Sequence, residues 1–251
     1  MSSRLVAGVA IALLALAVAA TRHASPRPLA QKCGTNTYGV AAAPFWLAAA
    51  DGVHLYALET GGGKVGVVLL HESPADLCGW LPFMPVLSRA GFRVLAFDFR
   101  GFGDSARPQK TSDFLAYGPD IRAAVARLRE QGAKRVFLIG ASFGGVAALT
   151  YAPGLPVSGV VSFSGELAIP GTGLNAYAAV PHLRVPLLIV DARHDRYLPV
   201  PDALTLLRRA DSKDKHIALY PGGFHGWDVV ETAPYAARAR ARVLGWLRAH
   251  A

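Results

Sequence analysis

From about residue 45 to its end, the chain alternates short, wholly apolar runs with longer amphipathic segments. That rhythm leaves few architectures open. Val65–His71, Val94–Phe99, Val136–Ile139, Val157–Phe163, Pro186–Val190 and Ile217–Tyr220 have strand length and are rich in β-branched or aromatic residues. Continuous apolar character, in place of alternation, predicts strands buried on both faces, as in a parallel sheet. Between them lie helical patterns at Leu81–Arg89, Asp120–Gln131, Val146–Tyr151 and Pro201–Ala210. Ile121, Val125 and Leu128 recur at helical spacing on one face. A closing helix over Glu231–His250 has Tyr235, Val243, Trp246 and Leu247 on a common side. Alternating β and α predicts an α/β fold: a doubly wound, mostly parallel sheet flanked by helices. In such sheets ligands sit at the carboxyl ends of the strands.

The N-terminus obeys different rules. Arg4 precedes an apolar run from Leu5 to Ala20 that ends in small residues. A short basic region before such a run reads as a secretory signal over residues 1–20, with an uncleaved anchor as the alternative. In both cases the rest of the chain lies outside the cytoplasm: secreted, periplasmic, or tethered to a membrane by its N-terminus. Residues 21–40, with Pro26, Pro28 and Gly34, read as a linker or leader, and residues 41–251 as one folded domain. An exported chain with two cysteines, Cys33 and Cys78, permits a single disulfide; the alternative is two unrelated small apolar residues.

The net charge of +9 owes much to Arg238, Arg240, Arg242 and Arg248 on the closing helix, a solvated face. No nucleic-acid-binding motif accompanies it. His71-Glu72 does not complete the zinc motif His-Glu-x-x-His, because residue 75 is Ala, and no metal or cofactor is expected.

The predicted strand ends carry the chemistry. After Val136–Ile139 comes Gly140-Ala141-Ser142-Phe143-Gly144-Gly145, then a helix. Gly-x-Ser-x-Gly between strand and helix puts the serine on a sharp turn that only tiny neighbours permit, with its hydroxyl raised above the sheet and a helix N-terminus behind it. After Pro186–Val190 comes a loop holding Asp191 and Asp195. A carboxylate there can fix a histidine tautomer and stabilise the imidazolium. Asp195, inside the loop, is the first choice and Asp191 the second. After Tyr220 comes Gly222-Gly223-Phe224-His225-Gly226-Trp227. His225 is the one histidine of eight that follows both Ser142 and Asp195 at a strand end; His216 and His250 read as surface residues. Ser142 as nucleophile, His225 as base and Asp195 as its partner suit acyl transfer.

With these motifs the chain resembles the α/β-hydrolase family from about residue 45 to its end. Asp98-Phe99-Arg100-Gly101-Phe102-Gly103-Asp104-Ser105 is similar to the family's Asp-x-Arg-Gly-x-Gly-x-Ser segment. Gly222 to Gly226 match Gly-Gly-x-His-Gly, and Asp195 to Pro199 match Asp-x-x-x-Pro. The resemblance implies the order Ser, Asp, His and an oxyanion hole made by the backbone N–H groups of Phe143 and Ser73. The family's oxyanion loop begins His-Gly; here it reads His71-Glu72-Ser73-Pro74.

The implied function is a serine hydrolase cleaving small or exposed esters through an acyl-enzyme. The alternatives are a peptidase, amidase or acyltransferase on the same fold and, third, a binding protein that has kept the fold. About 20 residues separate Gly165 from Val185, too few for a multi-helix cap, so an open site is expected. Glu72, beside the expected oxyanion donor, is read as a carboxylate bordering the substrate, against the alternative of a solvated loop residue. Phe143, Trp80, Leu198 and Trp227 are candidates to line an apolar pocket; for the two tryptophans, core packing is the alternative.

Overall fold

The computed structural model describes residues 24–108, 110 and 115–251. The expected signal or anchor over residues 1–20 lies outside them. Among the described residues no helix is long and apolar enough to cross a membrane.

In chain order the strands are β1 (Phe45–Ala48), β2 (His54–Thr60), β3 (Val65–Leu70), β4 (Arg93–Phe97), β5 (Arg135–Ala141), β6 (Gly159–Phe163), β7 (Ala168–Ile169), β8 (Leu174–Asn175), β9 (Leu187–Ala192) and β10 (Lys215–Tyr220). Eight of them form one sheet in the order β1-β2-β4-β3-β5-β6-β9-β10. From β4 to β10 neighbouring strands run parallel, whereas β1 and β2 join antiparallel at one edge. Every apolar run singled out in the sequence is a strand of this sheet, and β6 and β9 are buried along their whole length. β10, at the other edge, is buried only at Tyr220.

The helices are α1 (Leu29–Cys33), α2 (Met84–Arg89), α3 (Gly118–Glu130), α4 (Phe143–Tyr151), α5 (Ala176–Ala179), α6 (Val200–Arg209), α7 (Asp228–Glu231) and α8 (Ala236–Ala249). Two apolar clusters result. One gathers Ile121, Val125 and Leu128 of α3, Val146 and Leu149 of α4, and Leu206 of α6. The other gathers Met84 and Leu87 of α2 with Val243, Trp246 and Leu247 of α8. The 4-and-3 spacing read in the sequence is therefore the buried stripe of α3.

The structure departs from the sequence reading in places. The closing helix is two helices, α7 and α8, interrupted around Pro234, whose missing N–H cannot continue a helix. β1 and β2 were not expected. Residues 24–40 are no loose linker. Lys32 Nζ lies 2.9 Å from Asp98 and 2.8 Å from Asp76, Arg27 pairs with Asp104 at 2.7 Å, and Trp46 Nε1 donates to Ala24 O at 2.6 Å. Cys33 and Cys78 form a disulfide, which fastens α1 to the loop that follows β3. Between β6 and β9 lie only the β7–β8 ribbon, α5 and a single 3-10 turn, Val180–His182.

Candidate active site

Ser142 occupies the turn between β5 and α4 with φ 48° and ψ −116°, a conformation costly for any residue with a Cβ. Two close approaches explain the flanking glycines. A Cβ on Gly140 would lie 2.1 Å from the Gly144 carbonyl oxygen, and one on Gly144 would lie 2.2 Å from Leu70 O, at the end of β3. The Ser142 N–H donates to Phe163 O at 2.8 Å, which ties the turn to β6. Phe143 opens α4, so its N–H is among the first-turn donors that lack an intrahelical acceptor. It is thereby available to a developing oxyanion.

The structure brings Asp195 and His225 together. His225 Nδ1 lies 2.7 Å from Asp195 Oδ2, while Asp195 Oδ1 accepts from the N–H groups of Tyr197 (2.8 Å) and Leu198 (3.3 Å). With Nδ1 donating to the carboxylate, the lone pair stays on Nε2. The loop carrying His225 passes beside the Ser142 turn: a Cβ on Gly226 would be 3.7 Å from Ala141 Cβ. Burial works against a charged imidazole, but the Asp195 hydrogen bond and the charges of Asp195, Glu72 and Glu166 outweigh it, so the His225 pKa is raised. Burial likewise works against the Asp195 carboxylate. The hydrogen bonds from His225, Tyr197 and Ser164 prevail and lower its pKa.

On the loop that follows β3, His71 is wholly buried. Its Nε2 accepts from the Phe99 N–H at 2.9 Å, so Nδ1 carries the proton and donates to Glu72 O at 2.8 Å. Burial pushes the His71 pKa down to about 4; it is a neutral brace that fixes the start of this loop. Glu72 turns its carboxylate onto the histidine loop. Its Oε2 accepts from the Trp227 N–H at 3.4 Å and fills the space that a Cβ on Gly226 would need. Burial raises the Glu72 pKa to about 7. Ser73 is exposed.

The pocket candidates are placed differently from one another. Trp80 and Leu198 have no exposed surface; Trp80 packs on Phe83, Phe163 and Trp227 in the core. Phe143 is also buried, against Phe99, Phe102 and Tyr117. None of these three side chains offers a substrate an open face. Trp227 is partly exposed and lies flat over Gly79, where a Cβ would meet its ring at 2.1 Å. Two residues near His225 escaped the sequence reading. The half-exposed Tyr197 has its ring centroid 4.7 Å from that of His225. Glu166, just past β6, is close enough for its charge to act on His225, and burial raises its own pKa. Neither belongs to a motif; only the folded loops bring them to the imidazole. Among the described residues no cluster of His, Cys, Asp or Glu is arranged to hold a metal ion.

An imidazole held by a buried carboxylate, on a loop that passes beside the strained turn of a serine, is an arrangement suited to nucleophilic chemistry at the strand ends of an α/β protein. The chain belongs to the alpha/beta hydrolase family, whose model matches residues 67–250. Bifunctional epoxide hydrolase 2 of Sus scrofa is 35% identical to it over 97 residues, which are 38% of this chain and 17% of that enzyme. Epoxide hydrolase B of Mycobacterium tuberculosis is 35% identical over 116 residues, 42% of this chain and 32% of that one. The chain thus spans a third or less of the length of these curated relatives. Among solved structures, an esterase from Pyrococcus furiosus superposes with a TM-score of 0.70 at 18% identity, covering 85% of this chain and 92% of that one. A monoacylglycerol lipase from Paleococcus ferrophilus gives 0.66 at 20% identity, covering 78% and 99%. At these identities the likeness is one of fold.

Proposed function

We propose that the protein is a serine hydrolase that cleaves carboxylic esters by way of an acyl-enzyme on Ser142. The observation that carries this reading is the short bond between His225 Nδ1 and Asp195 Oδ2, which leaves Nε2 free to take the Ser142 proton. Ser142 attacks the ester carbonyl, and the oxyanion is held by the Phe143 N–H with a second donor from the Ser73 loop. His225 returns the proton to the leaving alcohol. Water, activated by the same imidazole, then releases the acid.

The nucleophile itself favours esters over the epoxides named for the relatives. A serine that opened an epoxide would be left as an ether, which water and a histidine base do not cleave. A serine acylated by an ester is itself an ester and turns over. The Cys33–Cys78 disulfide fits a protein that works in an oxidising compartment outside the cytoplasm.

A fluorophosphonate probe, applied to the full chain and to Ser142→Ala while short p-nitrophenyl esters are followed in parallel, tests this reading. Labelling and turnover are expected in the wild type and absent from the variant. A folded wild type that neither labels nor turns over overturns the assignment.

A further inference from the structure

Behind the Asp195–His225 pair lies a second carboxyl group that the mechanism above does not use. Asp191, in β9, is wholly buried. Its Oδ1 accepts from Ser164 Oγ at 3.1 Å and from the Ala192 N–H at 2.9 Å. Its Oδ2 is buried without a hydrogen-bond partner, and the Ser164 hydroxyl serves both its carboxyl and that of Asp195, whose charge and hydrogen bonding act on Asp191. Both oxygens of Asp195 are already acceptors, Oδ1 from Tyr197 and Leu198 and Oδ2 from His225. Two adjoining buried carboxyls cannot both be charged at modest cost. Asp195 has the donors that stabilise a carboxylate, so the shared proton belongs on Asp191, where it also resolves the orphaned Oδ2.

Resting on the reading of Ser142, Asp195 and His225 as the catalytic groups, we propose that Asp191 is a positioning residue: a neutral carboxylic acid that donates a hydrogen bond from Oδ2 to the Asp195 carboxylate and holds it against His225. Ser164 completes the support. Its φ of 49° is left-handed, an unfavourable conformation for a residue with a Cβ, and it directs the hydroxyl to Asp191 Oδ1 while also supporting Asp195. The titratable groups that face Asp191 are Asp195 from the loop that follows β9 and Tyr235 from the start of α8; burial raises the Tyr235 pKa to about 12, so it faces Asp191 as a neutral phenol. Burial, and then the Asp195 charge, raise the Asp191 pKa far above the usual carboxylate range.

The test compares pH profiles of ester turnover for the full chain and for Asp191→Asn, Asp191→Ala, Ser164→Ala and Tyr235→Phe. Asparagine keeps a neutral donor, so Asp191→Asn should hold kcat within about twofold at neutral pH and leave the acid limb of kcat/KM in place. It should also abolish an alkaline loss that the wild type shows as Asp191 ionises against Asp195. Asp191→Ala should lower kcat about tenfold or more with KM held within about twofold, and slow fluorophosphonate labelling in proportion. Ser164→Ala should lower kcat less, and Tyr235→Phe should leave the profile unmoved.

A downward shift of the acid limb in Asp191→Asn would mean that Asp191 is charged in the wild type, and full kcat in Asp191→Ala would mean that it positions nothing; either result overturns the proposal. Infrared spectra supply a readout that needs neither activity nor a folded alanine variant. At neutral pH the wild type should show a protonated-carboxyl C=O band that Asp191→Asn lacks, and absence of that band overturns the proposal. The band in a folded protein that neither labels nor turns over would leave the neutral Asp191 standing and overturn the ester-hydrolase reading, and with it the positioning role.

Discussion

At the scale of single residues, His225 sits among carboxylates of different character. Asp195 binds it directly, and Glu72 and Glu166 act through space. In the proposed role of general base it would work only when neutral, so kcat/KM should rise with pH through an apparent pKa above the ordinary imidazole value. Glu72→Gln removes a charge that favours the imidazolium, and a pH–rate profile should show that acid limb moved to lower pH. The same substitution has an opposite signature in stability. The Glu72 pKa is raised by burial to about 7, so its ionisation costs the folded state progressively between the unfolded carboxylate pKa and about 7. Below that window the folded state carries no such penalty. Thermal melts should therefore find Glu72→Gln more stable than the wild type at pH 8 and little changed at pH 4. Ser142, Asp195 and His225 stood out as candidates because each follows a strand and is flanked by small or turn-forming residues. Asp195 was preferred to Asp191 by its place inside the loop; Asp191, four residues earlier, lies in β9, and the two differ in which donors the tertiary structure brings to them.

At the scale of elements, the Cys33–Cys78 bond closes a separation of 45 residues and fastens α1 to the segment that follows β3. The chain-entropy relation for a loop of that length gives a ceiling of about 4 kcal/mol. Cys33→Ser/Cys78→Ser should lose stability by roughly 2–4 kcal/mol in denaturant titrations, and the wild type should lose a similar amount on reduction. Residues 21–40 read as a linker because prolines and glycine obscure any periodicity. The arm is held instead by partners far along the chain: Lys32 by Asp76 and Asp98, Arg27 by Asp104. Local pattern cannot report such partners. The edge strand β1 escaped for a related reason. β1 has four residues and only one that is buried, so it shows neither a continuous apolar run nor a firm alternation. Trp80 was ambiguous in the sequence because an indole suits a pocket wall and a core equally; its neighbours Phe83, Phe163 and Trp227 settle it as core.

At the scale of the whole molecule, the β7–β8 ribbon, the four-residue α5 and one 3-10 turn are all that stands between β6 and β9, and no multi-helix cap is found there. A site without such a cover has little to gain from opening at a lipid surface. Rates on a short ester should follow a simple saturation curve through its solubility limit, with no upward jump when it becomes an emulsion; kinetics across that limit check this.

The sequence by itself determined the parallel centre of the sheet, the helices that cover it and the strand ends where chemistry collects. Each of these is written in neighbours a few residues apart: apolar runs of strand length, stripes at helical spacing, glycines around a strained serine. Tertiary structure alone decided which donors each carboxyl receives, where the N-terminal arm is fastened and which aromatic rings are core. Those outcomes depend on what residues tens of positions away leave open for one another, in space, charge and hydrogen-bonding capacity, and no local pattern encodes that.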